Sequence, residues 1–264
     1  MTSRALDPIY LSTAIEAALA AGRVHRHYFR RPLDVRKKGP IDLVTAADLA
    51  AEQGFRSLIA ERFPDHAVLG EEQAAEVNTP APARCRWIID PLDGTTNFAH
   101  GLALFCVSLA LEVDGRVEIG VVYDAIGEEL FTAERGQGTR LNGQPIRVSE
   151  RAALVDALLC TGFPYTVRAG RERQVEVFSS FLGQARAVRR LGSAALDLCY
   201  VAAGRFDGFW EEQLHAWDIA AGALIVEEAG GCVTSFDDKP IDLFRGQIVA
   251  SNGRLHGQML SVVN

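Results

Sequence analysis

Apolar residues recur at steps of three and four through IYLSTAIEAALAAGRVHRHYF, and this spacing predicts an amphipathic helix. Asp7-Pro8 in front of it supplies a capping acid and a proline for the first turn, and Pro32 ends the run. VRKKGPIDLVTAAD follows as a short basic segment. A second helix is predicted over residues 46–63, with Thr45 as N-cap and Asp48 at the third helical position. Pro64-Asp65 breaks the chain, and HAVLG reads as a short strand ending in Glu71-Glu72. Residues 73–85, rich in alanine, proline and polar side chains, form a loop.

The period then changes. RWII, FCVSLALEVDG, RVEIGVVYD, EELFTAE and GTRLNG are strand-like runs, punctuated by Asp114-Gly115, Gly127 and Asn142-Gly143. They predict a mostly antiparallel meander. After about residue 150 strands and helices alternate. ALLCTGFP and RFDGFWE read as strands. RERQVEVFSSFLGQA, SAALDLCYVAAG and AWDIAAGALIVEEAGG read as helices, and QIVAS as a final strand. Strands first and alternation later predict a layered α+β arrangement of two lobes, 1–149 and 150–264, in one compact unit.

With 264 residues, 48% of them hydrophobic and 23% charged, the chain has material for a sizeable core. A formal net charge of −7 argues against a direct nucleic-acid or membrane-surface binder, which needs basic patches. It also means that an anionic ligand needs a local basic patch or bound cations. The cysteines at 85, 106, 160, 199 and 232 stand singly, without a CxxC, and four lie in apolar surroundings. Free thiols in a reducing compartment are expected. MTSRALDPIY lacks a basic-then-apolar leader pattern, and no apolar run approaches the roughly 20 residues of a membrane span. The expected location is the cytoplasm.

WIIDPLDGTTNFAHG changes the picture. Three apolar residues run into Asp90 and Asp93, separated by Pro91 and Leu92 and followed by a glycine and two threonines. Two acids so close behind a hydrophobic strand repel each other unless they share a cation. Hard cations such as Mg2+ take carboxylate, carbonyl and water oxygens, and the Leu92 carbonyl lies between the two acids. Pro91 stiffens the turn. Gly94-Thr95-Thr96 opens a short helix whose amides can accept a phosphate, with Gly94 allowing close approach. Asp48, Glu71 and Asp218 also stand at element ends, where side chains can converge on a cleft. Singly, each acid has an ordinary explanation: the helix dipole favours Asp in a first turn, and turn acids are commonly solvated.

WIIDPLDGTTNF resembles the first signature of the inositol monophosphatase family, and WDIAAGALIVEEAGG resembles the second. PIDLVTAADLAAE, VLGEE, RRLGSAALDLCYVAAGRFDGFWE and the run ending LNGQPIRVS match the family pattern in order and spacing, so the resemblance covers nearly the whole chain. It implies a five-layer αβαβα sandwich of the inositol monophosphatase and fructose-1,6-bisphosphatase type, Mg2+ dependence, lithium sensitivity and a homodimer. It implies Glu71, Asp90 and the Leu92 carbonyl as ligands of one metal, Asp90, Asp93 and Asp218 as ligands of a second, and a weaker third near Glu71. Thr95, paired with Asp48, would orient the attacking water, with Glu71 the third catalytic residue. Amides of Gly94 and Thr95 would hold the phosphate. Lys37 falls at the position of a family lysine near the entrance, with Lys38 beside it. Glu211, seven residues before Asp218, matches the family's hydroxyl-binding acid, and Gly192, Ser193 and Ala194 match a backbone wall of the same pocket.

The implied activity is Mg2+-dependent hydrolysis of inositol monophosphate to inositol and phosphate by metal-activated water, with no phosphoenzyme. Related phosphatases act on fructose 1,6-bisphosphate, histidinol phosphate, NADP or adenosine 3′,5′-bisphosphate. The alternative of a different class is a phosphatase fold with a second, macromolecule-binding role. The match weakens at TGFPYTVRAGRERQ, where a substrate-contacting loop should lie, and Arg168, Arg171 and Arg173 there read as a solvated basic face. His100 and His215 flank the motifs and read as supporting or packing residues, since hard cations prefer oxygen. Trp87 and Trp217 read as core volume.

Overall fold

Helix α1 (Pro8–Tyr28) starts where its capping acid stands: the Asp7 carboxylate accepts from the Ile9 amide at 3.0 Å, and Pro8 occupies the first turn. It ends at Tyr28, four residues short of Pro32. Its buried stripe of Thr13, Ala14, Ala17, Ala18 and Ala21 is made of small side chains, which let it lie close to α2 (Ala46–Arg62). The computed structural model describes residues 6–32, 35–37, 43–72, 84–164 and 171–264. Between the two helices the basic segment carries two strands that its composition does not announce. These are β1 (Val35–Lys37) and β2 (Leu43–Thr45), paired antiparallel.

The first sheet has seven strands in sequence order. β3 (Ala67–Gly70) pairs parallel with β4 (Cys85–Asp93). β5 (Cys106–Val113), β6 (Arg116–Asp124), β7 (Glu129–Glu134), β8 (Thr139–Leu141) and β9 (Gln144–Pro145) continue as the antiparallel meander the punctuation predicts. Short helix α3 (Thr95–Ala99) sits between β4 and β5. The strands are apolar on both faces because both faces are covered. Trp87, Ile89, Val107, Leu109, Leu111 and Val121 turn toward α1 and α2, while the alternate residues Ile88, Cys106, Ala110 and Val122 turn inward.

A 3₁₀ turn (Leu154–Asp156) leads into the second half. There follow β10 (Leu158–Thr161), α4 (Arg171–Gln184), β11 (Ala187–Arg189), α5 (Ala194–Ala202), β12 (Gly208–Glu212), α6 (Ala216–Glu228), β13 (Cys232–Thr234), β14 (Gln247–Ser251) and α7 (His256–Val263). The second sheet runs β11-β10-β12-β14-β13, with β10 parallel to both neighbours and the other pairs antiparallel. β11 and β13 have three residues each, too few to show a period, and α7 follows the strand that the pattern takes as the last.

α5 and α6 lie between the sheets and are apolar over most of their surface, with their acids Asp197, Asp218, Glu227 and Glu228 the exceptions. α4 and α7 cover the outer face of the second sheet through Phe181, Leu255 and Met259. The order is therefore helices, sheet, helices, sheet, helices: the five-layer α+β sandwich that the resemblance implies. All five cysteines are free. Cys106, Cys160 and Cys199 are buried, whereas Cys85 and Cys232 are partly exposed. Among the described residues no helix is long and apolar enough to cross a membrane.

Candidate active site

β4 does not stop at Ile89. Asp90 pairs with Ser108 and pairing resumes at Asp93 with Cys106, so Pro91 and Leu92 stand opposite one residue of β5. This is a β-bulge, and it falls at the proline, which has no N–H to give a ladder. The two acids are thus held by the sheet on either side of a bulge rather than hanging from a free turn. The Leu92 amide donates to Asp90 Oδ1 at 2.9 Å, and the Pro91 carbonyl accepts from His25 Nε2 at 2.8 Å. Nothing in the apolar pattern marks His25.

Asp48 caps its own helix. Its Oδ2 accepts from the Thr45 amide at 2.8 Å and the Thr45 hydroxyl at 2.6 Å, while Thr45 Oγ1 accepts from the Ala47 amide. That reciprocal box contributes about 1 kcal/mol to the helix start. It leaves Asp48 Oδ1 facing Thr95 Oγ1 at 3.1 Å. The same hydroxyl lies 2.9 Å from the Leu92 carbonyl. The single hydroxyl proton therefore has two acceptors within reach, Asp48 Oδ1 and the Leu92 carbonyl.

Gly94 caps α3 in a left-handed conformation, φ +94°. A Cβ there would also lie 2.8 Å from the Leu104 carbonyl, so the fold itself demands glycine, whatever approaches from the cavity. Asn97 then fastens α3 to the far wall: its amide donates to the carbonyls of Leu104 at 2.7 Å and Leu191 at 2.9 Å. Next to Leu191, Gly192 and Ser193 lead into α5. Ser193 Oγ and the Ala195 amide each donate to Asp93 Oδ2 at 2.7 Å, with Cys106 Sγ at 3.8 Å. The Ser193 side chain and Asn97 are candidate site positions that the sequence pattern does not mark, although Asn97 lies inside the first signature.

Asp218 repeats the device of Asp48. In the first turn of α6, its Oδ2 accepts from the His215 amide at 2.6 Å. His215 stacks on Trp217, with ring centroids 4.7 Å apart. Glu211 reaches the site from β12. Gly162 faces it, and any Cβ at 162 would strike the Glu211 carboxylate. Beneath lies Asp197 of α5, buried, with its Oδ1 unpartnered among the described residues.

Glu71, Asp90, Leu92, Asp93, Gly94, Thr95, Gly192, Ser193, Ala194, Glu211 and Asp218 line one cavity of about 260 Å3. Arg190 is the one lysine or arginine among its described lining residues. Burial, with the charges of Glu71, Asp93 and Asp218, pushes Asp90 well above the usual carboxylate range. Burial raises Asp93 to about 6, against the hydrogen bonds from Ser193 and Ala195 that lower it. Asp218 is raised well above its ordinary value by burial and then by the Asp93 charge. Asp48 rises to about 6, mainly by burial, against its Thr45 bonds. Glu211 rises to about 8 by burial, opposed by Arg190.

Among the described residues, no three His, Cys, Asp or Glu side chains close into a finished metal cage. The acids stand around the cavity, as like charges do. The donor set is carboxylate and carbonyl oxygen, which suits a hard divalent cation, and the cavity leaves room for water ligands.

Some expected positions fall elsewhere. Lys37 ends β1, but its side chain lies outside the described residues, as does Arg168. Arg173 is exposed, as expected, and also donates to the Val263 carbonyl at 2.7 Å, which ties α4 to α7. Arg171 is exposed at the start of α4. Trp87 is core, with its indole N–H on His66 Nδ1 at 3.1 Å. Trp217 is only half-buried and lines the cavity, because the helix start that carries it forms the rim. A larger groove of about 730 Å3 beside α4 and α7 is lined without a titratable side chain.

The model of the inositol monophosphatase family matches residues 8–264. A Nus factor SuhB of Pseudomonas aeruginosa is 44% identical over 262 residues, which cover 96% of this chain and 95% of that protein. An inositol-1-monophosphatase of Synechocystis is 44% identical over 253 residues, 95% of this chain and 87% of that protein. The crystal structure of the extragenic suppressor protein suhB from Bartonella henselae superposes with a TM-score of 0.89 at 39% identity, covering 97% of this chain and 98% of that one.

Proposed function

The chain belongs to the inositol monophosphatase family of metal-dependent phosphatases, and from that premise we propose that its cavity hydrolyses inositol monophosphate to inositol and phosphate with Mg2+. The observation that carries the reading is the ring of acids formed by buried Asp90 and half-buried Asp93 and Asp218, each raised above its usual range with one arginine on the lining to offset them. Left alone, such a cavity repels a phosphate. Glu71, Asp90 and the Leu92 carbonyl would hold one ion, and Asp90, Asp93 and Asp218 a second, with a weaker third beside Glu71. When bound, the ions supply Lewis acidity and offset the acids' charge toward an anionic ester.

The chain's own groups do the rest. The Gly94 and Thr95 amides, free of intrahelical partners at the start of α3, bind phosphate oxygens. With its proton turned to Asp48 Oδ1, Thr95 Oγ1 offers a lone pair to the attacking water and aims it at phosphorus. The water's proton passes through that hydroxyl to Asp48, whose carboxyl, raised to about 6, suits a base working near neutrality. The leaving alkoxide takes its proton from solvent. Glu211 receives ring hydroxyls against the backbone wall of Gly192, Ser193 and Ala194, and the family resemblance assigns Lys37 to the entrance. A homodimer belongs to the same reading and is checked by sedimentation.

A panel of phosphate monoesters assayed with Mg2+, with and without lithium, tests the proposal. The expected result is Mg2+-dependent release from inositol monophosphate that lithium suppresses. Absence of Mg2+-dependent release from every ester ends it, and a higher kcat/KM on another ester moves the substrate class.

The Pseudomonas relative's name, Nus factor, favours a second, macromolecule-binding role beside catalysis. A pull-down from cell extract with wild type and Asp93→Asn separates the two. A partner retained by the inactive variant supports the second role, and no specific partner removes it.

A further inference from the structure

The bulge in β4 leaves the Pro91 carbonyl between the Asp90–Ser108 and Asp93–Cys106 pairs, deep in the protein, where it needs a donor. His25 of α1 supplies it across 66 positions of sequence, Nε2 to oxygen at 2.8 Å. A carbonyl only accepts, so Nε2 carries the proton. The imidazole is wholly buried, edge-on to Phe98 and Phe105 with ring centroids 6.2 and 5.7 Å away. Its Nδ1 meets no partner among the described residues. Such an orphaned acceptor carries a desolvation cost that an apolar residue in the same pocket would avoid. The ring is thus a poor packing choice that makes one hydrogen bond.

That bond falls on a consequential peptide. The carbonyl of the Pro91–Leu92 unit takes His25, and its N–H, on Leu92, donates to Asp90 Oδ1 at 2.9 Å. The unit is planar, so fixing one end fixes the other. We propose that His25 is a positioning residue for the Asp90–Leu92–Asp93 turn: it holds the peptide plane that aims the Asp90 carboxylate, and so sets the site's affinity for divalent cations. The proposal rests on the metal reading above.

His25→Leu fills the volume without a donor, and His25→Gln keeps an N–H at similar reach. Mn2+, followed by loss of its free-ion electron paramagnetic resonance signal on titration with the full chain, reads the site without turnover. Wild type is expected to bind. His25→Leu should raise the dissociation constant by about 10-fold or more, the range for a group that orients a ligand, and His25→Gln should recover most of it. Thermal unfolding in chelator checks that the variants are folded. If His25→Leu is not, His25→Asn, whose amide falls short of Pro91, takes its place. Equal Mn2+ affinity in wild type and the donorless variant overturns the proposal, and so does a glutamine variant as weak as the donorless one. A wild type that binds no Mn2+ overturns the metal reading and this proposal with it.

Discussion

Ser193 Oγ donates to Asp93 Oδ2 at 2.7 Å, joining residues 100 positions apart. Asp93 closes the bulge of the first sheet, and Ser193 caps α5 in the layer between the sheets. The second half of the chain therefore orients an acid supplied by the first. The Ala195 amide and the Cys106 thiol donate to the same oxygen, so Oδ2 is satisfied by protein donors.

Ser193→Ala removes one of those donors and leaves the backbone wall of the pocket in place. The half-saturating Mg2+ for phosphate release should rise about 10-fold, with a smaller change in kcat at saturating metal. Ser193→Thr keeps the hydroxyl and should stay close to wild type. An unchanged Mg2+ requirement in the alanine variant would mean that the remaining donors hold the carboxylate without Ser193.

Asp93→Asn keeps an oxygen for Ser193 and Ala195 but removes a charge from a site where Asp90, Asp218 and Glu71 already crowd. Mg2+-dependent phosphate release should fall by about 100-fold or more. Unfolding in chelator at pH 8 should move the other way. The raised Asp93 is ionised there at a cost to the fold, so the variant should melt at or above the wild-type temperature. Loss of activity together with a lower melting temperature would point to a damaged fold.

Much of this site was legible because its chemistry is local in sequence. Thr45 and Asp48 form the predicted capping box three residues apart, and Asp90, Leu92, Gly94 and Thr95 line the cavity from one short stretch. What escaped is long-range or side-chain specific. His25, Asn97 and Ser193 act through partners 66, 94 and 100 positions away, and no spacing encodes that. The bulge escaped as well, since an apolar run followed by Asp-Pro looks the same whether the strand ends or bends. β1 and β2 were hidden by a basic composition, and α7 by its place after an apparent last strand.

Thr95→Val keeps the shape of the side chain at the start of α3 and deletes the hydroxyl that faces Asp48 at 3.1 Å. If that hydroxyl aims the water and passes its proton, kcat should drop about 10²–10⁴-fold with KM and the Mg2+ requirement little changed. Thr95→Ser should restore most of the rate. A variant that loses Mg2+ affinity rather than kcat would reassign Thr95 to support of the Leu92 carbonyl, its other partner at 2.9 Å.

Glu211 offers a test of burial that needs no metal. Its carboxyl is raised from an ordinary 4.5 to about 8 by burial, with the Arg190 charge opposing and the Asp93 charge adding. Asp197, likewise raised by burial, lies beneath it. Between those two values the folded chain keeps a proton that the unfolded chain releases. The contribution to stability is therefore complete below pH 4.5 and is lost as pH rises through about 8, at no more than about 1.4 kcal/mol per pH unit. Glu211→Gln is neutral at every pH and lacks this slope. In chelator, the stability of wild type relative to the variant should fall across that window and level off outside it. Parallel curves would mean that Arg190 outweighs burial and keeps the carboxylate ionised. At pH 7 with Mg2+ the same variant should raise KM for inositol monophosphate far more than for an aryl phosphate, because an aryl ester presents no ring hydroxyls to the group at 211. Equal effects on the two esters would remove Glu211 from the substrate pocket and leave it a buried acid of the second sheet.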